Sequence, residues 1–432
     1  MFKNDRVMLK PKSKMRIFVL AVLFITYGLM LIAPPSGQPT VAASANTSLG
    51  SNIASDNNGQ LNVVGNHIVT GNGKLFIPEG ISIYGGLEDS DYNENVANIR
   101  AQIIAAAKYW HANTVRLQIA ESNLLNNPTP GKTYNEHFLE AIISQVKLIR
   151  SLNMAVVLND QTEFTNNTPS PTTTTVKFWN VLAHTFKNSP YIIFDLFNEP
   201  RLNQFLTTSN KFTPHRGFVP FGLPTRKHFT HRYFQASSST IWNVWKYGGE
   251  FNGAEYVGTQ TLVNQIRGYG AKNLIWVEGP NEARELPSKK YLIQGSNIEY
   301  SIHHPDLNKP SSWAEIGNLA EIAPVVDGEW AQYQSPWTEC FSTAYTNAPL
   351  YLNYLHAHGV GIIAWSLQAG SLVRGGRFAR PSNLNSPNSP VNAADLRIPT
   401  HLTSSYDCGH EFGQGVGKLL QNYFARNSAP LN

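Results

Sequence analysis

The stretch Tyr191-Ile-Ile-Phe-Asp-Leu-Phe-Asn-Glu-Pro200 constrains the fold more than any other part of this chain. It is a short apolar run, rich in Ile and Phe, that stops abruptly at Asn198, Glu199 and Pro200. A run of that length and composition reads as a strand buried on both faces, the kind found in a parallel sheet covered by helices. A carboxylate at the end of such a strand is disfavoured unless the strand opens there onto water or a cleft. Ile322-Ala-Pro-Val-Val-Asp-Gly-Glu-Trp330 repeats the pattern and places Glu329 at the end of another short β-type run. Two glutamates on the ends of two buried strands are the raw material of paired-carboxylate chemistry.

The rest of the chain extends the pattern. A hairpin is expected at Leu61–Val64 and His67–Thr70 around Gly65-Asn66, followed by an extended segment at Leu75–Pro78. Strands and helices then alternate. The strands are Ile81–Tyr84, Thr114–Ile119, Met154–Leu158, Ile192–Phe197, Asn273–Val277, Ile298–His303, Val325–Gly328 and Gly361–Ser366. Helices are expected at Asn95–Trp110, Glu136–Leu152, Thr174–Phe186, Tyr256–Tyr269, Trp313–Ile322, Ala344–His358 and Gly409–Phe424, with an irregular insertion over 201–240. No helix is assigned between the fifth and sixth strands. Eight strands with helices between nearly all of them is the count for an α/β fold of the (β/α)8 TIM-barrel type, here with a short N-terminal β-hairpin. A doubly wound open sheet is the alternative. It is disfavoured because Tyr84-Gly85-Gly86-Leu87, after the first strand, is not a phosphate-binding glycine loop.

The N-terminus has its own logic. Lys3, Arg6, Lys10, Lys12, Lys14 and Arg16 precede an apolar run from Ile17 to Ala33. Small residues follow at Val41-Ala42-Ala43-Ser44-Ala45. A basic region, an apolar core and a small-residue site are the signature of a secretory signal peptide, here residues 1–43. An uncleaved membrane anchor over residues 17–33 is the alternative. Residues 44–60 read as a flexible tether and 61–432 as one catalytic barrel. The leader carries six of the 34 Lys/Arg and one of the 29 Asp/Glu, which leaves 28 of each in the rest of the chain. That balance gives no electrostatic case for a nucleic-acid partner. The expected product is an extracellular protein, a monomer, with no stable membrane association once the leader is removed. Cys340 and Cys408 form one disulfide or stay as two separate thiols; sequence does not place them within bridging distance.

In a barrel of this kind the active site forms at the carboxyl ends of the strands. The polar residues expected there are Arg116, Asn159, Asp160, Asn198, Glu199, Glu278, His303, His304, Glu329, Trp330, Trp365 and Gln368. They are acids, hydrogen-bonding groups and aromatics without metal-ligand spacing, so neither a metal nor a cofactor is called for.

Asn198-Glu199-Pro200, Gly328-Glu329-Trp330 and Ala364-Trp365-Ser366, in that order on the fourth, seventh and eighth strands, resemble the family 5 glycoside hydrolases, the cellulase family of clan A. Asn113-Thr114-Val115-Arg116-Leu117 resembles the family's arginine motif, and Tyr300-Ser301-Ile302-His303 its strand-six histidine motif. The resemblance spans about residues 60–425. It implies a retaining hydrolase of a β-linked polysaccharide or oligosaccharide (glucan, mannan or a related glycan), with Glu199 as general acid/base and Glu329 as nucleophile. It further implies that Asn198 bonds the sugar 2-hydroxyl, that Arg116 orients Glu329, that His303 lines the substrate site, and that Trp365 is the platform under the cleaved sugar. Two departures stand out. Val157-Leu158-Asn159-Asp160-Gln161 lacks the histidine many members carry on the third strand, and Pro305 replaces the tyrosine of the strand-six His-x-Tyr motif. Tyr333 or Tyr84 is the candidate replacement for that hydroxyl.

Plainer roles stand beside these. Glu199 or Glu329 could start a helix, Arg116 could be a structural ion pair, His303 a core histidine and Trp365 core packing. Glu278 is the rival carboxylate. Trp242, Trp245, Trp330 and Trp337 line sugar subsites or simply cover the core. At the level of whole function, a glycan-binding barrel without catalysis and a transglycosylase of the same fold are the alternatives to hydrolysis.

Overall fold

The structure is a computed structural model that describes residues 60–88, 92–162, 168–187, 189–202, 237–303, 310–330, 344–367, 372–374, 393–403, 413–429 and 431. The leader, both cysteines, His304, Pro305, Tyr333, Trp337 and Gln368 lie outside these residues.

β1 (Asn62–Val64) and β2 (His67–Val69) pair as an antiparallel hairpin. Its turn needs Gly65, whose φ of 64° is reached readily only without a side chain. The barrel follows: β3 (Glu79–Ile83), β4 (Thr114–Ile119), β5 (Ala155–Asp160), β6 (Ile192–Asp195), then β9 (Leu274–Glu278), β10 (Ile298–His303), β11 (Val325–Trp330) and β12 (Gly361–Ala364). Every neighbouring pair is parallel, and β12 closes on β3. All eight strands sit where the sequence pattern places them. The (β/α)8 barrel with its N-terminal hairpin is the fold of this chain.

Helices α1 (Tyr92–Lys108), α2 (Glu121–Leu125), α3 (Glu136–Ser151), α4 (Thr173–Phe186), α5 (Ser239–Tyr247), α6 (Thr259–Gly268), α7 (Ala314–Ala320), α8 (Ala344–Ala357) and α9 (Gly417–Asn427) follow the chain order. α3 shows why they form. Phe138, Ile142, Val146 and Ile149 recur at helical spacing and are all buried. The Asn135 side chain caps the helix by accepting from the Phe138 N–H. α4 starts on reciprocal bonds: the Thr172 hydroxyl accepts from the Thr174 N–H, and the Thr175 hydroxyl accepts from the Thr172 N–H.

Three expectations need correction. The helix expected from Tyr256 starts at Thr259, because Tyr256 lies in a second hairpin, β7 (Gly248–Phe251) and β8 (Ala254–Val257). Its two-residue turn is Asn252-Gly253, with φ of 53° and 78°, the left-handed pair that suits a tight hairpin. α5, just ahead of it, was not expected. The closing helix starts at Gly417 rather than Gly409; Gly413 and Gly415, with φ of 83° and 154°, are themselves outside helical geometry.

Strand alternation divides the core into two layers. Ala155, Val157, Ile193, Leu274, Trp276, Val326 and Ile363 pack inside the barrel, together with Leu61, Ile68 and Phe76 from the N-terminal hairpin region. Val156, Leu158, Ile192, Phe194, Ile275, Val277 and Ile362 face outward, under the helices. The hairpin region thus fills the end of the barrel opposite the strands' carboxyl ends.

Two carboxyl groups are buried in this framework away from those ends. Glu79 starts β3 near Tyr423 of α9; Glu299, early in β10, accepts from the indole N–H of Trp276. Burial pushes each from its ordinary 4.5 to about 8. Between those values the folded protein holds a proton that the unfolded chain has released. Stability therefore falls as pH rises from 4.5 towards 8, by up to about 1.4 kcal/mol per pH unit for each group. We expect the midpoint of thermal unfolding to drop between pH 5 and pH 8, and Glu299→Gln to flatten that drop. An unchanged slope in the variant would contradict the protonated state of Glu299.

Candidate active site

The carboxyl ends of β4, β6, β9, β10 and β11 converge on one polar cluster with Arg116 at its centre. Arg116 is fully buried in the middle of β4, and a buried guanidinium must find acceptors. It finds four. Nε donates to Asp195 Oδ2 at 2.8 Å and Nη1 to Glu329 Oε2 at 2.9 Å. Nη2 donates to Asn198 Oδ1 at 2.6 Å and to Glu278 Oε1 at 3.3 Å. Burial alone would favour a neutral guanidinium; the charges of Asp195, Glu329 and Glu278 outweigh it and keep Arg116 firmly protonated. Burial, reinforced by the charge of Glu278, lifts Asp195 to about 7 despite its bond to Arg116. Asn159, at the place where a strand-three histidine was missing, donates its amide N–H to Asp195 Oδ2 at 3.0 Å.

Glu329 reaches this cluster through a break in strand register. Ile302 pairs with Asp327, but His303 pairs with Glu329, so β11 carries one extra residue, Gly328. Asp327 faces outward and accepts from the Tyr351 hydroxyl of α8 at 2.8 Å. Simple alternation puts Glu329 on that same outer face; the bulge turns it inward to Arg116. Gly328 is glycine for a local reason. A Cβ there would lie 2.1 Å from Ser301 Oγ and 3.1 Å from His303 Nε2, in the space those side chains fill.

Glu199 follows β6 with a φ of 44°, a left-handed conformation uncommon for a residue with a side chain. Its carboxylate Oε1 lies 3.0 Å from His303 Nδ1, and His303 Nδ1 is 3.6 Å from Glu329 Oε2. Single carboxylate oxygens of Glu199 and Glu329, with a ring nitrogen of His303, all lie within 4.8 Å of one another. Those three donors are also close enough to hold a metal ion, although Arg116 already supplies a positive charge at Glu329.

Exposure separates the four carboxylates. The side chains of Asp195 and Glu278 are 0% exposed, whereas those of Glu329 and Glu199 are 7% and 13% exposed. Only the last two open towards the cleft, so only they can meet a substrate without rearrangement. Arg116 and His303 are fully buried behind them and touch the carboxylates. Asn198 is buried with its Oδ1 held by Arg116, which fixes the orientation of the amide. Trp365, just past β12, is half-buried and meets the ring of Tyr84 edge-on at 5.4 Å. The sequence reading did not single out Asp195. Trp242, Trp245 and Trp330, candidate subsite residues, are instead core: Trp242 stacks on Tyr291, the Trp245 indole donates to the Glu278 carbonyl, and Trp330 packs near Tyr351.

The chain shares its fold with several solved structures. A protein from Cytophaga hutchinsonii matches with a TM-score of 0.51 and 16% identity over 85% of this chain and 95% of its own. The catalytic domain of an endoglucanase from Thermobifida fusca matches at 0.51 and 13%, covering 85% and 97%. A β-mannanase from Streptomyces thermolilacinus, solved with mannohexaose, matches at 0.51 and 15%, covering 86% and 97%. No curated protein matches the chain. Such identities speak to the barrel alone. The family profile described as cellulase, glycosyl hydrolase family 5, goes further: it matches residues 78–371, from the start of the barrel to just past its last strand. With that span matched, this chain belongs to glycosyl hydrolase family 5, the cellulase family, and is a glycoside hydrolase.

Proposed function

We propose that this chain is an exported retaining hydrolase of β-linked glycan, glucan or mannan, working through Glu199 and Glu329. The observation that carries the proposal is the closeness of the two partly exposed carboxylates, with oxygens within 4.8 Å of each other. A retaining pair needs carboxyl groups roughly 5–5.5 Å apart, because one of them attacks the sugar directly; an inverting pair must leave room for a water between them. In the first step Glu199 gives its proton to the leaving oxygen while Glu329 attacks the anomeric carbon from the opposite face. In the second, Glu199 takes a proton from water, which displaces Glu329 from the sugar. The Arg116 guanidinium, 2.9 Å from Glu329, supports the negative charge of the nucleophile and holds its direction. Asn198, whose Oδ1 accepts from Arg116, bonds the 2-hydroxyl beside the reacting carbon in this scheme. Trp365 offers its half-buried face to the apolar side of a sugar ring.

The choice of glucan or mannan draws on the names of the solved neighbours, an endoglucanase and a β-mannanase seen with mannohexaose. Export draws on the basic, apolar and small-residue leader. Among the described residues no helix is long and apolar enough to cross a membrane. The test is a sugar-release assay with the exported protein on carboxymethyl cellulose, mannan, laminarin and xylan. Reducing ends should appear with glucan or mannan, and the first product should keep the β configuration. Binding without release would leave a lectin-like barrel, and products longer than the substrate would identify a transglycosylase.

A further inference from the structure

Glu278 has the chemistry of an active-site acid but none of its access. It ends β9, beside Ser301 in register, and its side chain is fully buried. Both carboxylate oxygens are engaged. Oε1 lies 3.1 Å from His303 Nε2 and 3.3 Å from Arg116 Nη2; Oε2 accepts the backbone N–H of Glu199 at 2.6 Å. Its own carbonyl accepts from the Trp245 indole at 2.6 Å, which anchors the strand end behind the site.

We propose that Glu278 is a positioning residue for the hydrolytic reaction: its one carboxylate ties together the Arg116 guanidinium, the His303 ring and the backbone of Glu199, and so fixes both reacting glutamates. The inference rests on Glu199 and Glu329 being the reacting pair. Its physical content is threefold. The bond to the Glu199 N–H holds a residue at a φ of 44°, a conformation that needs such a constraint. The contact with Arg116 links Glu278 to the group that supports Glu329. The contact with His303 decides the state of that ring.

The number of protons on the His303 ring sets which contacts it can make. Neutral imidazole has one N–H and one lone pair. His303 presents Nε2 to Glu278 and Nδ1 to Glu199, so a neutral ring would aim a lone pair at one carboxylate. The doubly protonated ring donates from Nδ1 to Glu199 and faces Glu278 from Nε2 as an ion pair. Burial works against that charge, but Glu278, Glu199 and Glu329 together raise His303 well above its ordinary 6.5. Among the described residues the charged or titratable groups around the ring are Glu278 from β9, Glu199 after β6, Glu329 from β11, Asp195 from β6 and, through Glu278 and Glu329, Arg116 from β4. Glu278 is the one of the three carboxylates that never needs to change partner during turnover. It is therefore the permanent counter-charge of the His303 ring, while Glu199 gains and loses its proton.

Glutamine at 278 is a sharp probe. Its amide oxygen can still accept the Glu199 N–H, but an amide NH2 facing His303 Nε2 requires a lone pair there, which forces the ring neutral. The experiment has two readouts. Nitrogen-15 NMR of the histidine-labelled protein, with His303 assigned by His303→Gln, reports both ring nitrogens at pH 7.5. Steady-state kinetics uses the 2,4-dinitrophenyl β-glycoside that the wild-type protein cleaves fastest. In the wild type the His303 ring should carry two protons; in Glu278→Gln it should carry one. The kcat of the variant should fall about 30- to 300-fold with KM within about threefold. A purely structural role would lower stability without changing the ring. A neutral His303 in the wild type, or Glu278→Gln with kcat within threefold, overturns the proposal; the wild-type spectrum decides even where the variant does not fold. Azide rescue of Glu329→Gly is run alongside. Rescue together with a neutral wild-type ring overturns the role of Glu278 alone, and absence of rescue in a folded variant overturns the reacting pair with it.

Discussion

Glu329→Gly is expected to lose roughly 10⁴- to 10⁶-fold in glycan hydrolysis, because among the described residues no other carboxylate is placed to take over the attack. Asp195 and Glu278 are closed off from the cleft, and Glu199 stands on the leaving-group side of the proposed reaction. The substitution also leaves a space where the carboxylate was, next to the Nη1 of Arg116. A small anion such as azide can enter that space and attack an activated β-glycoside from the face Glu329 used. One inversion then follows instead of two, so the product is the α-glycosyl azide. Turnover with azide and a dinitrophenyl β-glycoside, with the anomer read by proton NMR, is the measurement. A β-azide from this variant would place the nucleophile elsewhere. The protein should still fold: Arg116 keeps Asp195, Asn198 and Glu278 as acceptors, so its charge is not left bare in the core.

Much of the polar cluster was legible because Glu199, Glu278, His303 and Glu329 lie at or near the ends of their strands. An apolar run that stops at a carboxylate is a local pattern, and Glu199 and Glu329 stand out on that basis alone. The hub around Arg116 was only half visible. A lone arginine inside the apolar β4 demands a buried partner, and the lone aspartate inside Ile192-Ile-Phe-Asp195 is that partner at 2.8 Å. The signal was present, but pairing two charges 79 positions apart requires the closed barrel that brings β4 and β6 to either side of β5. The bulge at Gly328 was less visible still. Strand alternation assigns Glu329 to the outer face, and only the register against His303 shows why it points inward.

Other features were missed for different reasons. Asn252-Gly253 between short β-type segments is a strong local hairpin signal, and it falls in the stretch without an expected element between the insertion over 201–240 and the helix expected from Tyr256. Burial of Trp242, Trp245 and Trp330 had no local signal at all. A tryptophan near the mouth of a barrel can face sugar or core, and the side it takes depends on helices far away in sequence. The departure on the third strand has a structural counterpart. Where a histidine was absent, Asn159 joins Asp195, so the hub is completed from beneath by an amide.

Glu199→Ala is expected to divide substrates by their leaving groups. Cleavage of glycan needs a proton on a poor leaving oxygen, and loss of the acid should cost about 10²- to 10⁴-fold there. A dinitrophenolate leaves without that proton, so formation of the glycosyl-enzyme on Glu329 should stay fast. Its breakdown should slow, because Glu199 also draws the proton from the attacking water. The intermediate should then accumulate, giving a burst of dinitrophenol followed by a slow steady state. Azide needs no base, so it should speed that slow phase and release the β-glycosyl azide, the opposite anomer to that from Glu329→Gly. His303, 3.0 Å from the lost carboxylate, keeps its contact with Glu278, which should limit rearrangement behind the site. Burst kinetics and product NMR on the two variants side by side test the assignment. The pair is wrongly assigned if Glu199→Ala loses dinitrophenyl glycoside and glycan equally, or if both variants yield the same azide anomer.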